Sequence, residues 1–346
     1  MPTDRQPFVK RPDVSSRAGD EARADELQGA RLHISVIIPA YNAERFLEAT
    51  VNSVLSQTHG DWDLMIVDNG SSDGTFALAT RLAANDGRIT VLRLTENAGP
   101  SGGRNAGVVG LPTSGEPLDS GLLFLDSDDT LEPSALTLLA TRLRAEPGLP
   151  GVYGNARYID QEGGAIRGGQ LERLVRDRPI VRDGRVEFDS HSPRTGFESL
   201  VVWNCVTTPG MMLIRRSAWD TVGSFDPACK PAEDWDMAIR LARLGPLGFI
   251  DEAVLGYRRH ETNMSNQRKA MPLARRTIIA KARRDPTNTP QQRAMIEHAF
   301  RPAARYNVRA KLQLARSAAK ERRWRAMALE LQRALAAASA FVLGCP

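Results

Sequence analysis

Cysteine is scarce in this chain, and long apolar segments are missing. Only three cysteines occur among 346 residues, at Cys205, Cys229 and Cys345, and their wide spacing excludes a CxxC metal site and a disulfide framework. No window of 18 apolar residues is free of charge, which argues against a transmembrane helix. Residues 1–31 contain no apolar segment of the kind that a secretory signal needs. These absences lead us to expect a cytoplasmic protein.

Charge is unevenly distributed along the chain, although the net charge is only +5. Residues 265–346 contain 18 Lys and Arg against 4 Asp and Glu, a charge of +14, whereas residues 32–264 carry −9. Residues 1–31 alternate charges with Pro, Ser and Gly, so we expect a disordered leader there. The acidic body suggests a divalent cation as cofactor, and the basic C-terminal segment suggests an anionic partner.

Strand and helix patterns alternate over the first part of the body. Short apolar runs occur at ISVIIP, DLMIV, ITVLRL and GLLFLD, with segments of helical apolar spacing between them. Because such runs are typical of strands covered on both faces, the alternation predicts an α/β fold with a mostly parallel sheet and helices on both faces. We assign residues 32–264 to this domain and predict a helical segment over residues 265–346.

The second part of the body is less regular. Residues 161–200 are polar and basic, and we interpret them as a long functional loop. Further along, GFIDE and LGYRRH predict two short strands.

Acidic residues follow the fourth predicted strand, at the edge where parallel α/β sheets bind ligands. Asp126 and Asp128 leave that strand two residues apart, so their carboxylates can point the same way and bind Mg²⁺ or Mn²⁺. Alternatively, the acids of this LDSDD segment only cap the following helix. His260 follows a later strand, where it could complete the metal site or be a structural histidine.

Other polar residues near strand ends also have both a functional and a structural interpretation. Asp68 can bind a nucleobase or ribose, or close an Asx-turn, and Tyr41 can stack on a base or be a half-buried aromatic. Arg104, in the Gly-rich helix start GPSGGRNAG, can contact a phosphate or be a surface residue. Glu233 and Asp234 precede a helix, where a carboxylate can act as a general base or complement the helix dipole.

Six segments taken together resemble the family 2 inverting glycosyltransferases with the GT-A fold, a Rossmann-like architecture. They are IIPAYNAERFLEATVNSVLSQT, IVDNGSSDGT, NAGPSGGRNAG, LDSDD, VGSFDP and AEDWDMAIRLARLG. The likeness covers about Ile34–His260. Each segment alone is weakly informative, but the joint order is highly specific.

The resemblance implies a donor-binding role for five residues. Pro39, Tyr41 and Asp68 match positions that line the nucleotide base, usually uracil. Arg104 matches an arginine near the diphosphate. Asp126 matches the first acid of the DXD motif, which reaches the ribose and the metal.

The resemblance also implies the catalytic and metal-binding residues. Asp128 matches the second acid of the DXD motif, and with Asp126 it would bind the metal. His260 matches a third metal ligand of some relatives. Asp234 matches the expected catalytic base, and Glu233 lies beside it.

The function implied by the resemblance is metal-dependent inverting sugar transfer, with Mn²⁺ or Mg²⁺ as cofactor. The donor would be a nucleotide diphospho-sugar, foremost a UDP-sugar, and the acceptor a hydroxyl-bearing glycan or a lipid-linked sugar in polysaccharide synthesis. One alternative is a sugar-1-phosphate nucleotidyltransferase, but PAYNAERF after the first strand lacks a Gly-rich basic triphosphate loop. The other is a non-catalytic nucleotide- or glycan-binding protein, against which the complete set of acids argues.

The basic C-terminal segment carries an apolar stripe at helical spacing, which includes Trp324, Leu331 and Leu335. In one interpretation the stripe packs on the catalytic domain. In the other, the segment binds an anionic membrane at its inner face, where a lipid-linked acceptor would be presented. The segment has few interleaved aromatic residues and no recognisable DNA-reading motif, so we expect no nucleic-acid partner.

Overall fold

The computed structural model describes residues 32–111, 120–166, 177–182, 185–261, 263, 270–321 and 323–342, so the expected disordered leader lies outside the described residues. The strands are β1 His33–Ala40, β2 Trp62–Asn69, β3 Ile89–Leu94, β4 Ser120–Phe124, β5 Thr130–Leu131, β6 Gly151–Ile159, β7 Arg178–Arg182, β8 Arg185–Asp189, β9 Arg194–Thr195, β10 Met212–Arg215 and β11 Leu247–Arg258. The helices are α1 Leu47–Leu55, α2 Thr75–Asn85, α3 Gly99–Val109, α4 Ala135–Ala145, α5 Phe197–Leu200, α6 Arg216–Val222, α7 Glu233–Ala242, α8 Met271–Arg284, α9 Pro290–Lys320 and α10 Trp324–Val342.

The central sheet has nine strands, eight of which follow the order β3-β2-β1-β4-β10-β6-β11-β5, while β9 pairs with β11. The strands β3, β2, β1 and β4 are mutually parallel. β10 lies between β4 and β6 and runs antiparallel to both. The predicted α/β class with a mostly parallel sheet is confirmed, and the antiparallel β10 marks the change to the less regular second half.

The core of the sheet lies along β1 and β4. Every residue of β4 is buried, and the apolar residues of β1 other than Pro39 are inaccessible to solvent, as expected for strands covered on both faces. Helix α3 can approach β1 closely because its contact face consists of glycines. A Cβ atom at Gly107 would collide with Cγ2 of Ile37, and one at Gly103 would lie 3.0 Å from Cβ of Pro39. This close approach brings the Arg104 side chain to the end of the sheet.

The structure corrects the interpretation of residues 161–200 as a long irregular loop. The described part of this region contains the antiparallel hairpin β7–β8, the edge strand β9 and the short helix α5. Arg178 of the hairpin is only 1% exposed, with its guanidinium 4.1 Å from the ring centroid of Phe249. The basic composition of this region did not indicate the packed β7–β8 hairpin, because arginines are usually exposed and a sequence pattern cannot identify one that is buried.

The C-terminal segment folds as three helices, α8, α9 and α10, of which α9 and α10 pack on each other. Lys281 fixes α8 to the body, since its Nζ lies 2.7 Å from Oδ2 of Asp226 and 3.0 Å from Oδ2 of Asp236. No helix within the described residues is long and apolar enough to cross a bilayer.

The apolar stripe of α10 does not pack on the catalytic domain as one interpretation expected. Trp324 is 61% exposed and Leu335 is 71% exposed. Ala334 is buried instead, so the helix turns a different face inward. The helix therefore presents an outward apolar face to solvent, formed by Trp324, Leu331 and Leu335.

Candidate active site

A cleft of about 840 Å³ opens where β1 and β4 end. Its wall includes eight of the nine residues predicted from the sequence, namely Pro39, Tyr41, Arg104, Asp126, Asp128, Glu233, Asp234 and His260. The fold thus brings together side chains from five distant parts of the chain, as expected at the carboxyl edge of parallel strands. The ninth residue, Asp68, is fully buried and is not part of the cleft wall.

The guanidinium of Arg104 joins two acidic segments of the cleft. Its Nη2 lies 2.6 Å from Oδ1 of Asp126, and its Nη1 lies 2.8 Å from Oε1 of Glu233. Arg104 is 4% exposed. Burial alone would lower the pKa of Arg104, but the two carboxylates raise it. Arg104 is therefore a buried, permanently charged bridge and not a surface residue.

Asp126 experiences opposing electrostatic effects. Burial raises the pKa of Asp126, Arg104 opposes this shift, and the negative charges of Asp128 and Glu233 add to it. Thr208 Oγ1 lies 3.3 Å from the second oxygen, Oδ2, and donates to it. A positive charge placed among these acids would stabilise the ionised form of Asp126.

Asp128 and His260 form a pair in the cleft wall. Nε2 of His260 lies 2.8 Å from Oδ2 of Asp128. The imidazole also packs against Phe46, with ring centroids 5.1 Å apart. The backbone N–H of His260 donates to Oδ1 of Asn263 at 2.6 Å. A carboxylate and an imidazole with this spacing are donor types that suit a divalent cation.

The residues present fit a divalent cation, but protein side chains alone do not supply a complete set of metal ligands. Within the described part of the chain, no group of three His, Cys, Asp or Glu side chains is arranged as a ready-made metal site. Asp126, Asp128 and His260 nevertheless border the same cleft, and Asp126 lies in the field of other acids. This donor set suits Mg²⁺ or Mn²⁺, which commonly takes its remaining ligands from phosphates and water.

Asp129 has a structural role that the capping alternative did not foresee. Its Oδ1 accepts a hydrogen bond from the backbone N–H of Arg258 at 2.9 Å, and no side chain caps α4. The Arg258 guanidinium donates to the carbonyls of Asp128, Asp160 and Gln161 at 2.7, 3.0 and 2.9 Å. Strand β11 is thereby tied to the turn that presents Asp126 and Asp128.

Asp234 lies in the first turn of α7 and borders the cleft. Its Oδ1 accepts a hydrogen bond from the backbone N–H of Trp235 at 2.7 Å and a long one, 3.5 Å, from Nδ2 of Asn204. Burial, reinforced by the negative charge of Glu233, raises the pKa of Asp234 to about 7, against the opposing effects of Trp235 N–H and Arg104. A carboxylate with a pKa near neutrality is suited to proton transfer at physiological pH.

The end of the cleft nearest β1 contains Pro39 and Tyr41, and the Tyr41 side chain is 48% exposed. Asp68 differs from expectation. Its Oδ1 accepts from the backbone N–H of Ser71, three residues later, at 3.1 Å, so Asp68 closes the loop after β2 as the structural alternative expected, and its Oδ2 lies 3.2 Å from Nε of Arg93. A contact between Asp68 and a base would require Arg93 to move.

Sequence reasoning missed three residues that hold the site. Thr208 contacts Asp126, Asn204 contacts Asp234, and Arg258 holds the turn around Asp128. Thr208 and Asn204 come from a stretch without apolar periodicity, which gave no signal. Arg258 lies two residues before His260 in YRRH, so its motif was recognised but its structural role was not.

Comparison with known proteins identifies the family of the chain. The profile of Glycosyl transferase family 2 matches residues 35–223. Chondroitin synthase of Escherichia coli is 27% identical over 234 residues, which cover 67% of this chain and 30% of that protein. WfgD of Escherichia coli, a UDP-Glc:alpha-D-GlcNAc-diphosphoundecaprenol beta-1,3-glucosyltransferase, is 33% identical over 129 residues, or 37% of this chain and 47% of that protein. The matched segments thus span less than half the length of either relative.

A solved structure supports the same fold. Mannosyltransferase PcManGT from Pyrobaculum calidifontis, in complex with GDP-Man and Mn²⁺, superposes with a TM-score of 0.60 and 16% sequence identity, over 94% of each chain. At this identity the likeness concerns the fold alone, and it confirms the GT-A architecture. Since the profile match extends over more than half of the residues, the chain belongs to glycosyl transferase family 2.

Proposed function

We propose that the protein is a metal-dependent inverting glycosyltransferase that moves a sugar from a UDP-sugar to a hydroxyl acceptor in polysaccharide synthesis. The observation that carries the proposal is the bridge through Arg104. One guanidinium joins Asp126, which is one of the proposed metal ligands, to Glu233, which precedes the proposed base Asp234. Donor diphosphate and acceptor hydroxyl would meet across this bridge.

Asp234 is the proposed general base. Its Oδ1 is held by the Trp235 N–H, which leaves Oδ2 to receive the proton of the acceptor hydroxyl. The acceptor oxygen then attacks C1 of the donor sugar from the face opposite the diphosphate, and the bond from C1 to the diphosphate oxygen breaks. A single displacement of this kind inverts the anomeric configuration. General-base assistance typically contributes about 10²–10⁴ in rate.

Glu233 has a different proposed role from the one implied by its position beside the base. Its Oε1 binds Arg104, and its Oε2 is buried without a hydrogen-bond partner in the described structure. Glu233 therefore positions Arg104, and Arg104 would contact the donor diphosphate. Asp126, Asp128 and His260 would hold the divalent cation, which when bound supplies positive charge to the leaving diphosphate.

The UDP-sugar donor is proposed from two observations. Tyr41 is exposed beside Pro39 at the end of β1, where a base can stack. WfgD carries a UDP-Glc donor in its name, whereas PcManGT was solved with GDP-Man. Asp68 is not in the cleft wall, and its proposed role is to hold the loop at Ser71. A direct contact between Asp68 and the base would require Arg93 to move away from its carboxylate.

The C-terminal segment is proposed to contact an anionic membrane at its cytoplasmic face. Helix α10 presents Trp324 and Leu335 to solvent, and Arg323 and Arg325 near its start are exposed. An apolar face that includes Trp and has arginines beside it is typical of helices that lie in the membrane interface. A lipid-linked acceptor, as in the name of WfgD, would be reached from that surface.

The experiment that tests the function is a donor screen with product analysis. The purified protein is incubated with UDP- and GDP-sugars, with Mn²⁺, with Mg²⁺ or with EDTA, and nucleotide diphosphate release is measured. We expect release from one UDP-sugar that depends on the metal, and an inverted anomer in the transferred product by NMR. Release of pyrophosphate from a nucleoside triphosphate and a sugar phosphate would instead identify a nucleotidyltransferase, and binding without turnover would overturn the proposed enzyme.

A further inference from the structure

The inward-facing cations of α8 have carboxylate partners, with one exception. Lys281 lies between Asp226 and Asp236, and Nη2 of Arg283 lies 2.8 Å from Oε1 of Glu297. Arg276 is exposed, so water can solvate it. Arg275 is the exception, because it is only partly exposed and has no ion pair or hydrogen bond within the described residues.

Arg275 lies close to the proposed base. Its guanidinium carbon is 5.9 Å from the ring centroid of Trp235, the residue that follows Asp234. Met271, one helical turn earlier on α8, forms part of the cleft wall. Burial lowers the pKa of Arg275, and no charge among the described residues acts in the opposite direction. A cation that is partly removed from water without a counterion is costly unless a ligand supplies the negative charge.

A second cation without a carboxylate partner among the described residues borders the cleft directly. Lys230 belongs to the cleft wall, is exposed, and has no ion pair within the described structure. It lies between the short 3-10 helix Pro227–Cys229 and α7, and α8 packs on both of these elements. Lys230 and Arg275 therefore flank the part of the chain that carries Asp234.

We propose that Lys230 and Arg275 form a subsite for an oxyanion carried by the acceptor, either a phosphate or a carboxylate. The inference rests on the proposed function, since an acceptor whose hydroxyl reaches Asp234 would extend along the wall that includes Lys230 and Met271, and Met271 lies one helical turn from Arg275. The donor diphosphate is an unsuitable occupant, because Arg104 and the proposed metal residues already serve it. Arginine can bind either oxyanion through two parallel hydrogen bonds, and lysine adds a point charge.

The test compares matched ligands that differ in charge and does not require turnover. Binding to the full-length protein, with UDP and Mg²⁺ at saturation, is measured by calorimetry for two pairs. One pair is decyl diphosphate-linked N-acetylglucosamine and the neutral decyl N-acetylglucosaminide, and the other is methyl glucuronide and methyl glucoside. We expect the anionic member of at least one pair to bind about tenfold more tightly, as for one charged hydrogen bond. The pair that discriminates identifies phosphate or carboxylate as the source.

Variants then assign the preference to the two residues. Arg275→Gln and Lys230→Gln should each reduce the preference for the anion about fivefold or more, whereas Arg275→Lys should retain most of it. The matched control is Arg276→Gln, which changes the adjacent exposed arginine and should keep the full preference. Melting temperatures of all variants establish that they are folded.

The outcomes separate this inference from the proposed function. Equal binding within both pairs, or a preference that survives both Gln variants, overturns the subsite. If the protein turns over no nucleotide sugar but discriminates the charged ligands through Arg275 and Lys230, the proposed reaction is wrong and the anion site remains. If it turns over a UDP-sugar without discrimination, the subsite alone is wrong.

Discussion

Nη1 of Arg104 lies 2.8 Å from Oε1 of Glu233, and both side chains are almost fully buried. This contact distinguishes the two adjacent acids at the start of α7. Both acids border the cleft, but Glu233 is bound to Arg104 and its second oxygen is buried, whereas Oδ2 of Asp234 takes part in no hydrogen bond in the described structure. The relationship therefore favours Asp234 as the base and Glu233 as the residue that positions Arg104.

Replacing Asp234 by Asn should lower kcat by about 10² or more, because the side chain keeps its shape but can no longer accept a proton. Donor affinity should change little. Steady-state kinetics with the UDP-sugar found in the donor screen measure both quantities. Asp220→Asn, which alters an exposed acid outside the cleft, serves as the control and should leave kcat within about twofold. A change confined to the donor KM would place Asp234 in the donor site instead.

The rate should depend on pH through the ionisation of Asp234. Its pKa is raised to about 7, and only the ionised form accepts a proton, so kcat should fall as pH drops below about 7. Glu233→Gln removes a negative charge that raises this pKa, so the acidic limb of the pH profile should move to lower pH. A limb that stays in place, or moves upward, would contradict the assignment of the limb to Asp234.

His260→Ala should raise the Mn²⁺ concentration required for half-maximal activity by about tenfold, since one candidate ligand and the partner of Asp128 are lost. Asp128→Ala should abolish metal-dependent turnover while the protein remains folded. Mn²⁺ titrations in the presence of UDP, followed by calorimetry, give the same ranking without turnover. His191→Ala, which changes an exposed histidine, is the control. Unchanged metal dependence in both site variants would exclude this metal site.

His33 should make the stability of the fold depend on pH at the edge of the sheet remote from the cleft. Its ring nitrogens lie 3.3 Å from Asp63 and 2.9 Å from Asp61, and the hydrogen bond to Asp63 is the main cause that raises the pKa of His33 to about 9, against the effect of burial. Because the folded pKa exceeds the unfolded value of about 6.5, the stabilisation is full below pH 6.5 and is lost as pH rises through 9.

The corresponding measurement is urea unfolding of the wild type and of His33→Gln at several pH values. The free energy of unfolding of the variant should be lower by about 1–2 kcal/mol at pH 6, and the difference should shrink towards pH 9.5. A difference that is constant over this range would mean that charge pairing at His33 does not stabilise the fold.

Vesicle binding should depend on the outward apolar face of α10. The double variant Trp324→Ala and Leu335→Ser should bind anionic vesicles at least tenfold less tightly than the wild type, because each buried large apolar side chain contributes about 1.5–3 kcal/mol. Wild-type binding should also weaken as salt is raised. Leu244→Ser removes a similarly exposed leucine, at 47%, and should have no effect. Equal binding of wild type to neutral and anionic vesicles would exclude the electrostatic contribution.

Strands whose residues are buried along their whole length could be predicted from the sequence. The first strand was predicted at Ile34–Pro39 and is observed at His33–Ala40, since burial on both faces leaves an uninterrupted apolar run. The last strand was predicted as two pieces but is one, Leu247–Arg258. Exposed Asp251 and Glu252 lie in its middle, where the pairing with β6 shifts register. A local irregularity inside a strand cannot be distinguished from the end of that strand by the sequence pattern alone.

The candidate site shows the same limit at the level of single contacts. Strand ends and motif order were sufficient to predict that Asp126, Asp128 and Asp234 lie in one cleft, as they do. They could not show that Arg104 bridges two of the acidic segments, nor that Asp68 is closed off by Ser71 and Arg93. Those contacts depend on helix approach and side-chain direction, which no spacing rule encodes.

Arg258 limits how this enzyme can be recombined with its relatives. Its guanidinium donates to the carbonyl of Asp128, before β6 in the sequence, and to those of Asp160 and Gln161, after β6. Strand β11, which carries Arg258, ends two residues before His260. A loop grafted in from another protein at only one of these places would lose the shared anchor. The smallest exchangeable module is therefore a block that carries Asp126–Asp129, the turn at Asp160 and strand β11 together. Hybrids with the whole block should be recovered folded, and those with the turn alone should not.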